Sequence, residues 1–290
     1  MFKSHSLGLA LVPVLFLYTA TFNVSKPADN IDFKAKTFHN FSLQKHYKDL
    51  YEVHSEKIFG IDVSHHQSHI DWDEVSHIKD SIEVSFVFAR ATFGSDKKDL
   101  HFDRNWKMAT EKKMLKGAYH FYRPMQNPIL QAQHFVKHVK LEEGDLPPVL
   151  DIESKYRRQK PASLRANLKK WLNYVENHYG VKPIIYTNDG FYKSYLNTGE
   201  FDEYPLWIAN YNQVTAPRNS RWVLWQFSEK GKATGIKTNV DLNVFNGSLE
   251  DLKKLAIVKK QEVITDSLPA REPVTKIELQ SKPLVLDIQL

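Results

Sequence analysis

Asp151-Ile152-Glu153 closes a short apolar run at 148–150. On an extended strand, residues i and i+2 point to the same side, roughly 6.5–7 Å apart along the backbone. Both carboxyls would then share one face, with Ile152 on the other. Two neighbouring carboxylates repel when both are ionised, so one is driven to keep its proton and becomes a candidate general acid. Paired carboxylates are what glycosidic-bond cleavage requires. The same residues also suit two plainer roles: a solvated strand end that caps the next helix, or a pair of metal ligands.

His65-His66 follows Asp62-Val63-Ser64. A metal site would need further ligands at the right geometry. Neighbouring histidines point in different directions, so at most one enters a site, and no metal ligand is assigned. The chain lacks H-E-x-x-H, an EF-hand loop, a P-loop, G-x-G-x-x-G and G-x-S-x-G. It has no cysteine, which excludes disulfides, thiol nucleophiles, Cys-type zinc sites and thiolate iron–sulfur sites. No cofactor is expected.

The elements that must position these residues begin near Ile58, where short apolar runs start to alternate with amphipathic ones. Strands are expected at 59–63, 84–91, 117–122, 148–152, 183–187, 205–209, 222–227 and 240–244. A helix is expected over 162–179, where Leu164, Leu168, Trp171, Leu172, Val175 and Tyr179 share a face between Pro161 and Gly180. A second is expected over 128–140. This alternation argues for a largely parallel α/β sheet, and eight strands with weak late helices suggest a barrel with an irregular last third.

Many polar residues fall at strand ends. Asp62 ends the first run, and Asp151 and Glu153 end the fourth. Tyr119 and Tyr122 lie in the third run, Tyr186 in the fifth, Trp207 and Asn210 at the sixth, Trp225 and Gln226 in the seventh. Asp241 opens the eighth. In a parallel barrel such ends converge on the face where active sites are built. Asn210 and Gln226 are taken with the five aromatics as candidate substrate contacts, and two of those aromatics are expected to be core instead.

The 290 residues are 42% hydrophobic and 26% charged, ordinary globular values that exclude a disordered or collagen-like chain. Forty Lys and Arg against 34 Asp and Glu give a formal charge of +6, which favours an anionic partner such as an acidic wall polymer. The basic residues look scattered, with no dense block, and no nucleic-acid motif is present. A monomer is expected. Lys3 followed by an uncharged run from Ser4 to Ser25 reads as an export signal or an uncleaved membrane anchor over 1–25. Residues 26–57 read as a linker with a short helix over 42–57, residues 58–255 as one catalytic domain, and 256–290 as an extension that suits a hairpin around Ser281-Lys282-Pro283, a disordered tail or a small docking element equally well.

Gly60-Ile61-Asp62-Val63-Ser64-His65-His66-Gln67 with Ile70-Asp71-Trp72 resembles the opening of glycoside hydrolase family 25, the N-acetylmuramidase lysozymes. The resemblance continues in order through Phe86-Val87-Phe88-Ala89-Arg90-Ala91-Thr92, Gly117-Ala118-Tyr119-His120-Phe121-Tyr122-Arg123-Pro124 and Pro147-Pro148-Val149-Leu150-Asp151-Ile152-Glu153. Pro183-Ile184-Ile185-Tyr186-Thr187-Asn188, Leu206-Trp207-Ile208-Ala209-Asn210-Tyr211, Trp225-Gln226-Phe227-Ser228 and Val240-Asp241-Leu242-Asn243 complete it. The chain departs from the family pattern at Phe93, where many relatives are acidic, and at Arg90, where many carry Lys.

The resemblance implies a flattened TIM-type barrel of (β/α)5β3 architecture. It also implies hydrolysis of the β-1,4 bond between N-acetylmuramic acid and N-acetylglucosamine in peptidoglycan, at the cell envelope or outside the cell. Glu153 would be general acid and then base. Asp151 would orient the substrate's 2-acetamido group, or act as direct nucleophile. Asp62 and Asp241 would tune the pair. Two other readings stand beside it: a wall-binding protein of weak catalysis, and a glycosidase for another amino-sugar polymer such as chitin. Chitinases of a related barrel use a longer D-x-x-D-x-D-x-E strand, which residues 147–153 lack.

Overall fold

The computed structural model describes residues 50–78, 82–211, 216–217 and 221–258. The chain divides into two units, Met1–Ser55 and Glu56–Leu290. In the first, residues 50–53 are helical, inside the helix expected over 42–57. The remainder of that helix up to residue 49, the apolar segment of 1–25 and the alternating tail lie outside the described residues.

The second unit holds, in chain order, β1 (Ile58–Val63), β2 (His77–Ile78), β3 (Ile82–Glu83), β4 (Phe86–Phe93), β5 (Lys97–Lys98), α1 (Phe102–Glu111), β6 (Leu115–Phe121), α2 (Pro128–His138) and β7 (Val149–Asp151). Then follow α3 (Pro161–Tyr179), β8 (Ile184–Asn188), β9 (Leu206–Ala209), β10 (Trp222–Gly231), β11 (Val240–Phe245) and α4 (Leu249–Leu255). Strands β1, β4, β6, β7, β8, β9, β10 and β11 pair in that order, and β11 pairs back to β1, which closes an eight-stranded barrel. Each strand expected from the sequence falls on one of the eight.

Seven strands run parallel. The eighth, β11, is antiparallel to both its neighbours. Helices α1, α2 and α3 follow β4, β6 and β7, and a helical stretch over Asp189–Phe191 and Tyr192–Leu196 follows β8. After β1 the chain makes only a 3-10 turn, His65–Gln67, and the small β2–β3 hairpin. Among the described residues no helix separates β9, β10 and β11, which is the irregular last third.

Local chemistry accounts for the helix limits. Pro128 and Pro161 occupy first helical positions, where a missing N–H costs nothing. Asn127 caps α2 by accepting from the N–H groups of Ile129 and Leu130 at 2.8 and 3.2 Å. Gly180 ends α3 at φ 71°, a left-handed conformation that favours glycine. Leu164, Leu168, Trp171, Leu172 and Val175 are the buried face of α3.

Inside the barrel, Phe86 and Phe88 of β4 sit opposite Gly60 and Gly117 on the flanking strands. A Cβ at Gly60 would lie 2.5 Å from the Phe86 ring, and one at Gly117 would lie 2.2 Å from that of Phe88. Glycine is therefore what lets two phenyl rings fill one end of the barrel. Both belong to an apolar cluster with Val149, Tyr186 and Trp207. Those last three also line the cleft above it.

Candidate active site

Because seven strands are parallel, their C-terminal ends meet at one rim. Asp62 stands at the end of β1 and Asp151 at the end of β7. β11 runs the opposite way, so its second residue, Asp241, arrives at the same rim and is the register partner of Asp62. A cleft of about 520 Å³ opens there, lined among others by Asp62, Tyr119, Asp151, Glu153, Tyr186, Trp207, Gln226 and Asp241.

The hydrogen bonds around Asp62 have a fixed direction. The Trp207 indole N–H can only donate, and it donates to Asn243 Oδ1 at 3.0 Å. That turns the Asn243 amide nitrogen toward Asp62 Oδ2, at 2.8 Å. Gln226 Nε2 donates to the same oxygen at 2.8 Å, while Gln226 Oε1 accepts from the hydroxyls of Tyr186, at 2.7 Å, and Tyr211. Asp62 is thus held as an acceptor, which suits a carboxylate. Burial pushes it above the ordinary carboxylate value, against the pull of Asn243, Gln226 and Asp241. Asp241 is pushed up to about 9, by burial first and then by the charge of Asp62 and the hydrogen bond to it. Asp241 therefore carries the proton and donates it to Asp62.

Asp151 and Glu153 are hydrogen-bonded to each other. Asp151 is buried and held well above the ordinary range, by burial first, then by the charges of Glu153 and Asp62. Glu153 is exposed, and is raised by the water its neighbours displace, while the bond from Asp151 pulls the other way. In the free protein the proton of this pair sits on Asp151. Asp151 Oδ1 is buried with no hydrogen-bond partner. The cationic influence on these carboxyls is Arg90, which pulls both Asp62 and Asp151 downward. Arg90 is itself anchored, with Nε 2.9 Å from Asp99 Oδ2.

Three of the residues proposed as substrate contacts stand outside the cleft wall. Trp225 alternates with Gln226 on β10, so its ring faces away from the cleft, fully buried against Trp222 and Phe227, with Nε1 3.0 Å from the Asn210 carbonyl oxygen. Asn210 serves as that acceptor and its side chain donates to Asp189 at 3.3 Å. Tyr122 lies one residue past β6, buried beside His120, with its N–H 2.8 Å from the Asp151 carbonyl oxygen. It supports the end of β7 from behind. Of the two adjacent histidines, His66 lines the cleft and His65 bonds Asp99 through Nδ1 at 2.9 Å.

Asn243, Tyr211, Arg90 and Glu229 reach the site without having been expected there from the sequence, and His66 is the one of its pair that enters. Asn243 is i+2 from Asp241 on a strand, the same spacing that singled out Asp151 and Glu153. Glu229 follows register shifts in β10, where simple alternation no longer tells which way a side chain points. Among the described residues no group of three or more His, Asp or Glu could hold a metal ion.

This carboxylate set at the end of a closed barrel meets a matching family pattern. Residues 61–236 match Glycosyl hydrolases family 25. The chain belongs to that family. An uncharacterized Escherichia coli K12 protein, YegX, is 42% identical over 201 residues, 69% of this chain and 73% of that one. Lysozyme M1 of Streptomyces globisporus is 32% identical over 212 residues, 68% of this chain and 70% of that one. The family 25 glycosyl hydrolase from Bacillus anthracis shares the fold with a TM-score of 0.63 at 30% identity, over 70% of this chain and 95% of that one. Membership makes this protein a glycoside hydrolase of the lysozyme type.

Proposed function

We propose that this family 25 enzyme hydrolyses the β-1,4 bond between N-acetylmuramic acid and N-acetylglucosamine in peptidoglycan, with retention at the anomeric carbon. The observation that carries the reading is the hydrogen-bonded Asp151–Glu153 pair at the barrel rim, with Asp151 Oδ1 buried and unpartnered. A 2-acetamido N–H donating to that oxygen favours the ionised form of Asp151. The shared proton then passes along the existing hydrogen bond to Glu153, which delivers it to the leaving glycosidic oxygen. The acetamido oxygen attacks the anomeric carbon as that bond breaks, and Asp151 balances the positive charge on the resulting ring. Water then opens the ring with Glu153 as base.

Asp62 places a fixed negative charge beside the pair, worth more in a buried site than in water. Tyr119, Tyr186 and Trp207 are the aromatic walls offered to the sugars. No metal or cofactor takes part in these steps. We place the enzyme outside the cytoplasm as a monomer, delivered or anchored by the apolar segment of residues 1–25. Among the described residues no helix is long and apolar enough to cross a membrane.

Glu153→Gln keeps the shape and loses the proton. General acid–base assistance is typically worth about 10²–10⁴-fold, and wall lysis should fall by at least that factor with an unchanged circular dichroism spectrum. Near-normal lysis by this variant would remove Glu153 from the mechanism.

A further inference from the structure

The loop joining β7 to α3 leaves the cleft directly after Glu153. Within residues 155–160 it carries Lys155, Arg157, Arg158 and Lys160 around Tyr156. This is a dense basic block that a survey of the whole chain misses. Lys155 is spent on the loop itself. Its Nζ lies 3.4 Å from the carbonyl oxygens of Tyr156 and Arg157, 3.5 Å from that of Gln159, and 5.6 Å from the centre of the Tyr195 ring.

Arg157, Arg158 and Lys160 are exposed. Among the described residues none of the three makes an ion pair. Cations on neighbouring elements do: Arg165 with Glu200, Lys169 with Glu203, Lys182 with Glu176 and Glu203, Lys193 with Asp189. The first turn of α3 starts at Lys160 with no acidic residue to offset it. The helix's partial positive end therefore adds to the same patch. The cleft has the opposite sign, lined by Asp62, Glu153 and Glu229 against a single arginine, Arg90, with Asp151 and Asp241 holding protons.

A neutral amino-sugar polymer gains nothing from that polarity. A glycan bearing peptides puts its sugars in the cleft and its acidic side branches outside it. We propose that Arg157, Arg158 and Lys160 form an anion-binding rim that takes the stem-peptide carboxylates of the glycan strand lying in the cleft. This rests on the reading of the cleft as a muramidase site. Exposed charges of this kind raise the rate of productive encounter more than they tighten the complex, and salt screens them.

The test uses the full chain and its Arg157→Gln/Arg158→Gln/Lys160→Gln variant. The substrates are soluble uncrosslinked peptidoglycan chains, and the same chains after an amidase has removed the peptides. At about 20 mM salt the variant should lose about three- to tenfold in kcat/KM on peptide-bearing chains and less than about twofold on stripped chains. At about 500 mM salt the difference should vanish. Arg157→Lys/Arg158→Lys keeps the charge and should keep the rate. Equal kcat/KM of variant and parent on peptide-bearing chains at low salt would overturn the proposal. An equal loss on both substrates would overturn it too, because the effect of the three cations would then not depend on the peptides. A parent enzyme that cleaves neither substrate would contradict the muramidase reading instead.

Discussion

Asp62 and Asp241 face each other across the antiparallel pair β1–β11, and one proton between them sets which is charged. Gln226 and Asn243 both donate to Asp62, so the negative charge is fixed there and Asp241 stays protonated. The arrangement keeps one anion near Asp151 where two would repel. The reversed strand makes it possible, since a parallel β11 would carry Asp241 to the far end of the barrel.

Asp241→Asn imitates the protonated carboxyl, because its amide N–H can still donate to Asp62. Activity near pH 6 should stay within about tenfold of the parent, below the 10²–10⁴-fold loss typical of a proton-transfer group. The alkaline limb of kcat/KM should move upward, since the parent gains a second anion as Asp241 ionises near pH 9. A pH–rate profile from pH 5 to 10 checks both. A hundredfold loss at pH 6 would mean that Asp241 acts as a carboxylate.

The same substitution should stabilise the fold. A carboxyl raised in the folded state contributes stability that is fully present below its unfolded value, 3.8, and is lost as pH climbs through its folded value, about 9. The melting temperature of Asp241→Asn should therefore exceed that of the parent, by a gap widening about 2–4 °C per pH unit. The window to read is pH 6.5 to 9. Below it the buried neutral His120, held down to about 3, makes the fold lose stability as pH falls. A gap that stays constant across that window would contradict the proton placement.

Asn243 touches Asp62 without lining the cleft, so its removal separates charge placement from sugar contact. A hydrogen bond to a charged group is worth about 1.5–3 kcal/mol, or about one to two pH units. Asn243→Ala should move the acidic limb of the profile up by about that much and lower kcat with little change in KM. A raised KM with an unshifted limb would show that Asn243 serves substrate binding instead.

Much of the barrel was legible because buried parallel strands are short apolar runs with polar ends, and α3 advertises its limits with Pro161 and Gly180. Strand direction was not legible. Only the register Asp62↔Asp241 shows that a residue opening β11 meets one closing β1. The Asp151–Glu153 pairing could be anticipated from its i, i+2 spacing, but the seat of its proton could not, because burial depends on the whole rim. Trp225 and Tyr122 resemble sugar platforms by composition, and backbone alternation or a one-residue overshoot past the strand decides their place in the core instead. The basic loop at 155–160 was diluted by cations that other elements neutralise.

The central claim is the bond that is cut, and the mass of the released ends reads it directly. Purified peptidoglycan digested by the enzyme should yield muropeptides whose new reducing end is N-acetylmuramic acid, with one water added per cut and full sensitivity to borohydride reduction. Release should disappear with Glu153→Gln. Fragments ending in N-acetylglucosamine, or carrying a dehydrated muramic end that borohydride cannot reduce, would contradict it.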